Sequence, residues 1–423
     1  MAHVNDGQIL YEPQLSPQFE GYCEPVHTEL AIRAAAARNG LWAVFFFMGV
    51  VSMAWVARIP EIRDANGLNN GQLGLILLSS TVGAVSGAQL SGRLIHTFGT
   101  KPLIALSIFV MPIGLILMGL SRTPITLIFG LFIMGLGYST MDISCNTQAV
   151  AIEKLLQRRM MSSFHALWSC GAFATTVLGG VIAAYVSPRT NLVGVGIACF
   201  FLFIPSLMPL LPPELDDHSG GEEETSAKIP FFGKGVMPLW GMGIGLLGGL
   251  IAEGAASDWG AILLRDDMGF GKGVNASAFA SFSLAMITAR FLGDRALDYF
   301  GPRKTVLIGG YVGGLGLGAS IAISVPISDT HPILALIIIN LGFACAGLGI
   351  GPMFPAYIIA ASQIPGIASS VAIARVGVIG IAGYFIGPSI TGAIAQVTSL
   401  PIAMIYPILM LLLAGYQSHT IKR

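Results

Sequence analysis

The sequence predicts an all-α membrane protein: twelve transmembrane helices in two six-helix halves related as parallel repeats. Three observations carry that expectation. Of 423 residues, 54% are hydrophobic and only 10% are charged, against roughly 25% charged in an ordinary soluble domain. The apolar residues fall into twelve runs, and two loop sequences recur at one fixed offset. Twelve spans of about 20 residues need about 240 positions, close to what 54% of 423 supplies. Little chain is left over for a soluble catalytic domain. In hydrocarbon every backbone polar group must be satisfied within the protein, which favours helices over any open sheet.

Taken in order, the runs lie at 38–58, 72–94, 102–121, 124–152, 162–186, 191–212, 235–264, 273–297, 303–325, 332–360, 366–396 and 400–418. Residues 1–37 form a polar tail without the basic and apolar regions of a cleaved signal peptide. The first six runs make an N-terminal half, 38–212, and the last six a C-terminal half, 235–418. Between them, 213–234 is hydrophilic with the acidic run Glu222, Glu223 and Glu224, as a solvated linker should be, and 419–423 is a short tail. The 54 glycines suit helices that must approach closely without a hydrophobic force between them. Rows at Gly241, Gly245 and Gly249, and at Gly310, Gly314 and Gly318, are expected to mark such crossings.

Orientation follows from the basic residues. The side that holds both termini and the linker carries fourteen Lys and Arg, and the other side six (Arg58, Arg63, Arg122, Arg189, Arg265 and Lys272). The positive-inside rule places both termini in the cytoplasm of a multi-pass cell-membrane protein.

The repeat sets the plan. Gly92 to Lys101 aligns with Asp294 to Arg303 at an offset of 202, and the same offset pairs Arg63, Asp64 and Gly67 with Arg265, Asp266 and Gly269. Two loops sharing one offset indicate duplicated halves, a known transporter architecture.

These features resemble the major facilitator superfamily from residue 38 onward. The family's loop motif, Gly-x-Leu-x-Asp-Arg-x-Gly-Arg-Arg, is matched by Gly92, Leu94, Gly99 and Lys101 in the first half, with Arg93 beside them. In the second half it is matched by Asp298, Gly301 and Arg303. His96 stands where the first-half motif normally has Asp, so the resemblance implies a conformational latch that is stronger in the second half. Gly349 to Pro355 resembles a fucose-permease-like sugar branch, and Glu253 to Trp259 a poorly characterised bacterial inner-membrane group. The resemblance implies a proton symporter of a small, sugar-like solute, with a carboxylate on the fourth span in coupling. Proton-driven efflux by antiport is the nearer alternative. A membrane sensor or enzyme would need an output domain or a catalytic constellation, and neither is evident.

An ionisable group within a span costs about 2.5 to 3.5 kcal/mol on insertion scales and is a functional candidate for that reason. Asp142 lies about ten residues from a basic loop, hence near the midplane, with Asn146 on its face; it either exchanges a proton or is satisfied by that neighbour. Glu253 is the second candidate for proton coupling. His165 and Trp168 share a face of the fifth span with Ser169 and suit hydrogen bonding and stacking on a sugar. Arg375, always charged, needs an anion: Asp142, Glu253 or a substrate group. Asn340 and Trp259 complete the candidate substrate contacts; the alternatives are an interhelical hydrogen bond for Asn340 and an interfacial position for Trp259. Arg58 is expected to snorkel to headgroups, and Arg290 to join a charge network with Asp294 and Asp298.

No cofactor or metal is expected. Four of five cysteines lie in apolar runs, and no phosphate loop, His-Glu-x-x-His or Gly-x-Ser-x-Gly motif occurs. Net charge is zero, which gives no footprint for nucleic acid. The expected partners are a small-molecule substrate, protons and the lipid bilayer, and the expected state is a monomer.

Overall fold

The computed structural model describes residues 24–158, 160–216, 236–364, 367 and 369–421. It is all-helical over these residues, and twelve helical stretches are long and apolar enough to cross a membrane. This is therefore a multi-pass membrane protein. In the first half the helices are α1 (Glu24–Met53), α2 (Ile59–Ala65), α3 (Asn70–Phe98), α4 (Thr100–Leu120), α5 (Pro124–Leu156), α6 (Met161–Ala183) and α7 (Pro188–Leu207). In the second they are α8 (Met237–Ile262), α9 (Ser277–Ile327), α10 (Pro332–Ile350), α11 (Met353–Ser362), α12 (Ser369–Val397), α13 (Leu400–Ala403) and α14 (Ile405–Gln417). The eighth and ninth spans are the two legs of α9, which turns at Gly301.

The first helix begins at Glu24, well inside the polar stretch read as a tail. Residues 1–23, 217–235 and 422–423 lie outside the described residues, and with them the acidic run and most of the linker. Turn chemistry sets the helix starts. Asn69 Oδ1 accepts from Gln72 N at 2.8 Å while Gln72 Oε1 accepts from Asn69 N at 3.0 Å, a reciprocal capping box that opens α3. Thr123 opens α5 in the same way, ahead of a proline in the first turn.

The repeat is visible in the backbone. Gly67 and Gly269 have φ of 65° and 73°, and Gly99 and Gly301 have 79° and 74°. Each pair is 202 apart. A left-handed turn at both places in both halves explains why glycine stands there. At Gly99 space adds a second reason, since a Cβ would lie 2.7 Å from Pro213.

Glycine also sets the crossings. A Cβ on Gly49 would meet the Trp168 carbonyl, and one on Gly171 would meet the Phe46 carbonyl, so α1 and α6 touch backbone to backbone. The expected row on α9 is borne out: Gly310 faces Gly415, Gly314 faces Leu412 and Gly318 faces Ile408 along α14. Of the row on α8, Gly241 faces Thr420 and Gly245 faces the Tyr357 hydroxyl. Such contacts are van der Waals packing, the main source of helix adhesion in lipid.

Candidate functional site

Four spans bring charged or phenolic groups to their midpoints. Asp142 lies 18 residues from the start of α5 and 14 from its end, about 3 Å from the centre at 1.5 Å per residue. Tyr138 is one turn earlier on the same face. Glu253 is central in the stretch Met237–Asp267, and Tyr384 is central in α12. Arg290 sits 13 residues into the first leg of α9. These five interact electrostatically around Tyr138. Arg290 also acts electrostatically on His165, and its Nη1 donates to Ser169 Oγ at 2.8 Å, a hydrogen bond between the halves. Toward the face away from the termini, Ser257 bonds Tyr384 and lies 3.1 Å from the Asp258 carboxylate. Of the three carboxylates here, Glu253 interacts with the Arg290 guanidinium, while Asp142 lies near Tyr138 and Asp258 near Tyr384.

The residues singled out from sequence divide between this cluster and other places. Asp142, Glu253 and His165 belong to it. Asn146 hydrogen-bonds the Asp142 side chain and donates to its backbone carbonyl at 2.8 Å. His165 is exposed, its ring edge-on to Phe45 at 5.4 Å. Trp168 is half-buried, and its Nε1 has no acceptor among the described residues. Arg375 is not at the midplane. It lies nine residues, about 13 Å, along α12 from Tyr384, toward the terminal face.

Two expected substrate contacts point elsewhere. Trp259 is fully buried: its Nε1 donates to the Pro388 carbonyl at 3.1 Å and its ring fills the space beside Gly392, so it cements α8 to α12. Asn340 donates to the Leu336 carbonyl and lines a shallow outer groove with Ile337 and Leu341, which are exposed. Arg58 does not snorkel. It is fully buried, with Nη2 donating to the Val186 carbonyl at 2.5 Å and Nε 3.0 Å from Glu61, because the chain breaks after Met53 and folds the arginine inward.

Arg290, Tyr138 and Tyr384 escaped the sequence reading. A run that ends at 297 puts Arg290 close to the terminal face, in a network with Asp294 and Asp298. The helix continues to Phe300, which moves the arginine toward the middle. The depth argument used for Asp142 would have found it. A tyrosine carries no insertion penalty large enough to announce itself.

At the face opposite the termini the halves are clasped by charge. Arg63 Nη2 lies 2.7 Å from Asp266 Oδ2, and Arg265 Nη1 lies 2.8 Å from Asp64 Oδ2. Each arginine also contacts the aspartate beside it in sequence, at 2.9 and 2.6 Å. Lys272 approaches Glu61 at 3.5 Å. Nearby, Ser389 Oγ donates to the Gly74 carbonyl and Gly71 N to Gln396 Oε1. The structure is therefore shut at this face.

The first-half motif loop at the terminal face acts within its own half. Thr100 donates through N and Oγ1 to Asp216 at 2.6 and 2.7 Å, and Gln148 bridges Thr100 to the Leu211 carbonyl. Lys101 Nζ donates to the carbonyls of Met208 and Leu210, both at 3.1 Å. Gly99 supplies the turn, so this loop ties the start of α4 to the chain leaving α7. Gly92, Arg93 and His96 are exposed. Asp298 and Arg303, flanking Gly301, make no ion pair among the described residues.

Comparison with known proteins bears on this arrangement. The family described as Major Facilitator Superfamily matches residues 40–371. An uncharacterized MFS-type transporter of Yersinia pestis is 31% identical over 385 residues, covering 90% of this chain and 94% of that protein. Membrane protein MosC of Rhizobium meliloti is 29% identical over 371 residues, covering 86% and 84%. Among solved structures, the nucleoside transporter NupG superposes with a TM-score of 0.72 at 12% identity, covering 91% of this chain and 100% of that one. At that identity the likeness speaks to the fold alone.

Proposed function

The chain belongs to the Major Facilitator Superfamily, and from that premise we propose that it is a secondary active transporter that carries a small polar, sugar-like solute together with protons. The observation that carries the reading is the cluster between the halves: the carboxylates Asp142 and Glu253 share Tyr138 with one cation, Arg290, and Asp258 joins them through Tyr384. Ionised carboxylates in excess of fixed cations are costly in a low-dielectric interior, and protons are the simplest neutralising partners. The hydrogen-bonding groups of Tyr138, His165, Tyr384 and the free indole N–H of Trp168 supply donors and acceptors for hydroxyls. The sugar class rests on the likeness of Gly349 to Pro355 to a fucose-permease-like branch.

Transport proceeds by rocking the halves about this site. With the Arg63, Asp64, Arg265 and Asp266 clasp closed, the site is shut from one face; the cycle requires the clasp to part while the terminal face closes. In this scheme the motif loops, with Asp298 and Arg303 on one side and Arg93 on the other, form a latch in the alternate state.

A thermal-shift screen of the purified protein against sugars, polyols and organic amines should yield a ligand, since anything that binds the folded state raises its apparent melting point. Proteoliposomes then decide coupling. Adding that ligand outside should draw protons inward with it. Proton release to the outside would favour antiport, and substrate flux without proton movement would defeat both.

Orientation is open to a separate test. With the basic asymmetry of fourteen to six, both termini and the 213–234 linker belong in the cytoplasm. Single cysteines in that linker, placed in a cysteine-free variant, should resist an impermeant thiol reagent in intact cells and react after permeabilisation. Labelling from outside would reverse the assignment.

A further inference from the structure

A cleft of about 360 Å³ opens at the face opposite the termini, beside the charge clasp. Three places in the first half line it: the turn after α2 with Asn66, the turn between α4 and α5 with Arg122, and the start of α7 with Ser187 and Arg189. The second half contributes Arg265 and Lys272. Those two cations already face carboxylates, Asp64 at 2.8 Å and Glu61 at 3.5 Å. Arg122 and Arg189 are exposed and have no acidic partner among the described residues. The cleft therefore holds two uncommitted guanidinium groups in excess. The start of α7, a helix of 20 residues, lies at the same place and adds its positive end.

A second observation is independent of charge. Asn66 is only 7% exposed, and its Oδ1 has no hydrogen-bond partner. Its amide orientation is not arbitrary: Nδ2 donates to the Ile62 carbonyl at 2.8 Å, which can only accept, and to Ser121 Oγ at 3.0 Å. An acceptor is thus left over in a wall of the cleft, and a buried polar atom without a partner is costly. The complement of this site has an anionic group for two arginines and a donor for one amide oxygen.

We propose that the cleft binds a phosphate ester whose alcohol part carries a hydroxyl or ammonium donor, and that its occupant holds the protein shut at this face. Guanidinium forks match phosphate oxygens bidentately, and two of them neutralise the charge. The donor satisfies Asn66 Oδ1. Because Arg265 and Lys272 come from the other half, the complete cleft exists only while the clasp is closed. A ligand that binds one state and not the other shifts the population toward that state. The ester can arrive from solution or as the headgroup of a phospholipid, since the cleft lies at the ends of the spans.

The test uses the full chain carrying spin labels at Ile125, in the first half, and Gly271, in the second, in a variant without native cysteines. Both sites are exposed, and a Cβ at Gly271 meets nothing. Glycerol 3-phosphate in detergent, against chloride at equal ionic strength, forms one arm. The other compares phosphatidylglycerol with phosphatidylcholine in nanodiscs, the latter lacking an N–H or O–H donor. Either ester should enrich the short label distance and raise the melting temperature. Arg122→Gln with Arg189→Gln, both on the surface, should weaken the half-saturating concentration by roughly tenfold or more. Response to glycerol 3-phosphate places the source in solution, and response to phosphatidylglycerol alone places it in the bilayer; both support the site. No response in either arm, or an equal response in the double variant, overturns it.

Discussion

Replacing Asp142 by Asn should abolish accumulation of substrate against its gradient while exchange of labelled for unlabelled substrate persists. The side chain sits about 3 Å from the centre of α5, with Tyr138 a turn before it and Asn146 a turn after. Asparagine keeps the size and hydrogen-bonding reach of a protonated carboxyl but cannot release a proton, so the variant imitates one state permanently. Substrate can still bind and the loaded protein can still rock, which is all that exchange requires. Uphill transport is different, because coupling is a reciprocal free energy between proton and substrate. One proton moving through 100 mV supplies about 2.3 kcal/mol, enough for roughly fifty-fold accumulation of a neutral solute. Without coupling the ratio falls toward about 1, the value for passive equilibration. Proteoliposomes with an imposed proton gradient measure both quantities. Accumulation at the wild-type level in Asp142→Asn would make Asp142 structural and move the coupling role to Glu253 or Asp258.

The sequence made some of this legible and hid the rest for physical reasons. Composition and spacing yield the twelve spans because the bilayer admits few solutions, and the offset of 202 yields the halves because both left-handed glycines in each recur at it. Charge in a span is expensive, so Asp142 and Glu253 announce themselves. Arg290 carries the same signal, but reading it required the helix end, which is set by the turn at Gly301 and not by hydrophobicity. Trp259 and Asn340 lie apart from the cluster because helical position says how deep a residue lies and not which neighbour it faces. Arg58 misled because a short 3-10 turn, Val56–Arg58, rotates the chain between α1 and α2. The repeat also flagged Arg63, Asp64, Arg265 and Asp266 as a marker of duplication, without revealing that the four close upon one another. That pairing is a property of one conformation, and a sequence encodes both.

Reversing one charge of that clasp should open this face, and exchanging a pair across it should close it again. In Asp266→Arg a third guanidinium joins Arg63 and Arg265, with Asp64 the single carboxylate left in the group. The four side chains are 12% to 52% exposed, so each original pair contributes only about 0.2 to 1 kcal/mol. Two attractive contacts to Asp266 are lost and like charges are forced together, giving a combined shift of about 1 to 3 kcal/mol, or roughly 5- to 150-fold in the ratio of states. Spin labels at Ile125 and Gly271 should register a longer distance. The double variant Arg63→Asp with Asp266→Arg sets two acidic residues in the first half against two basic ones in the second, so complementarity returns and the short distance with it. High salt should blunt the effect of the single reversal, because pairs this exposed are screened over about 10 Å at 0.1 M ionic strength. A merely structural role for Asp266 predicts otherwise: the exchanged variant would stay as open as the single reversal, or neither would move the distance at all.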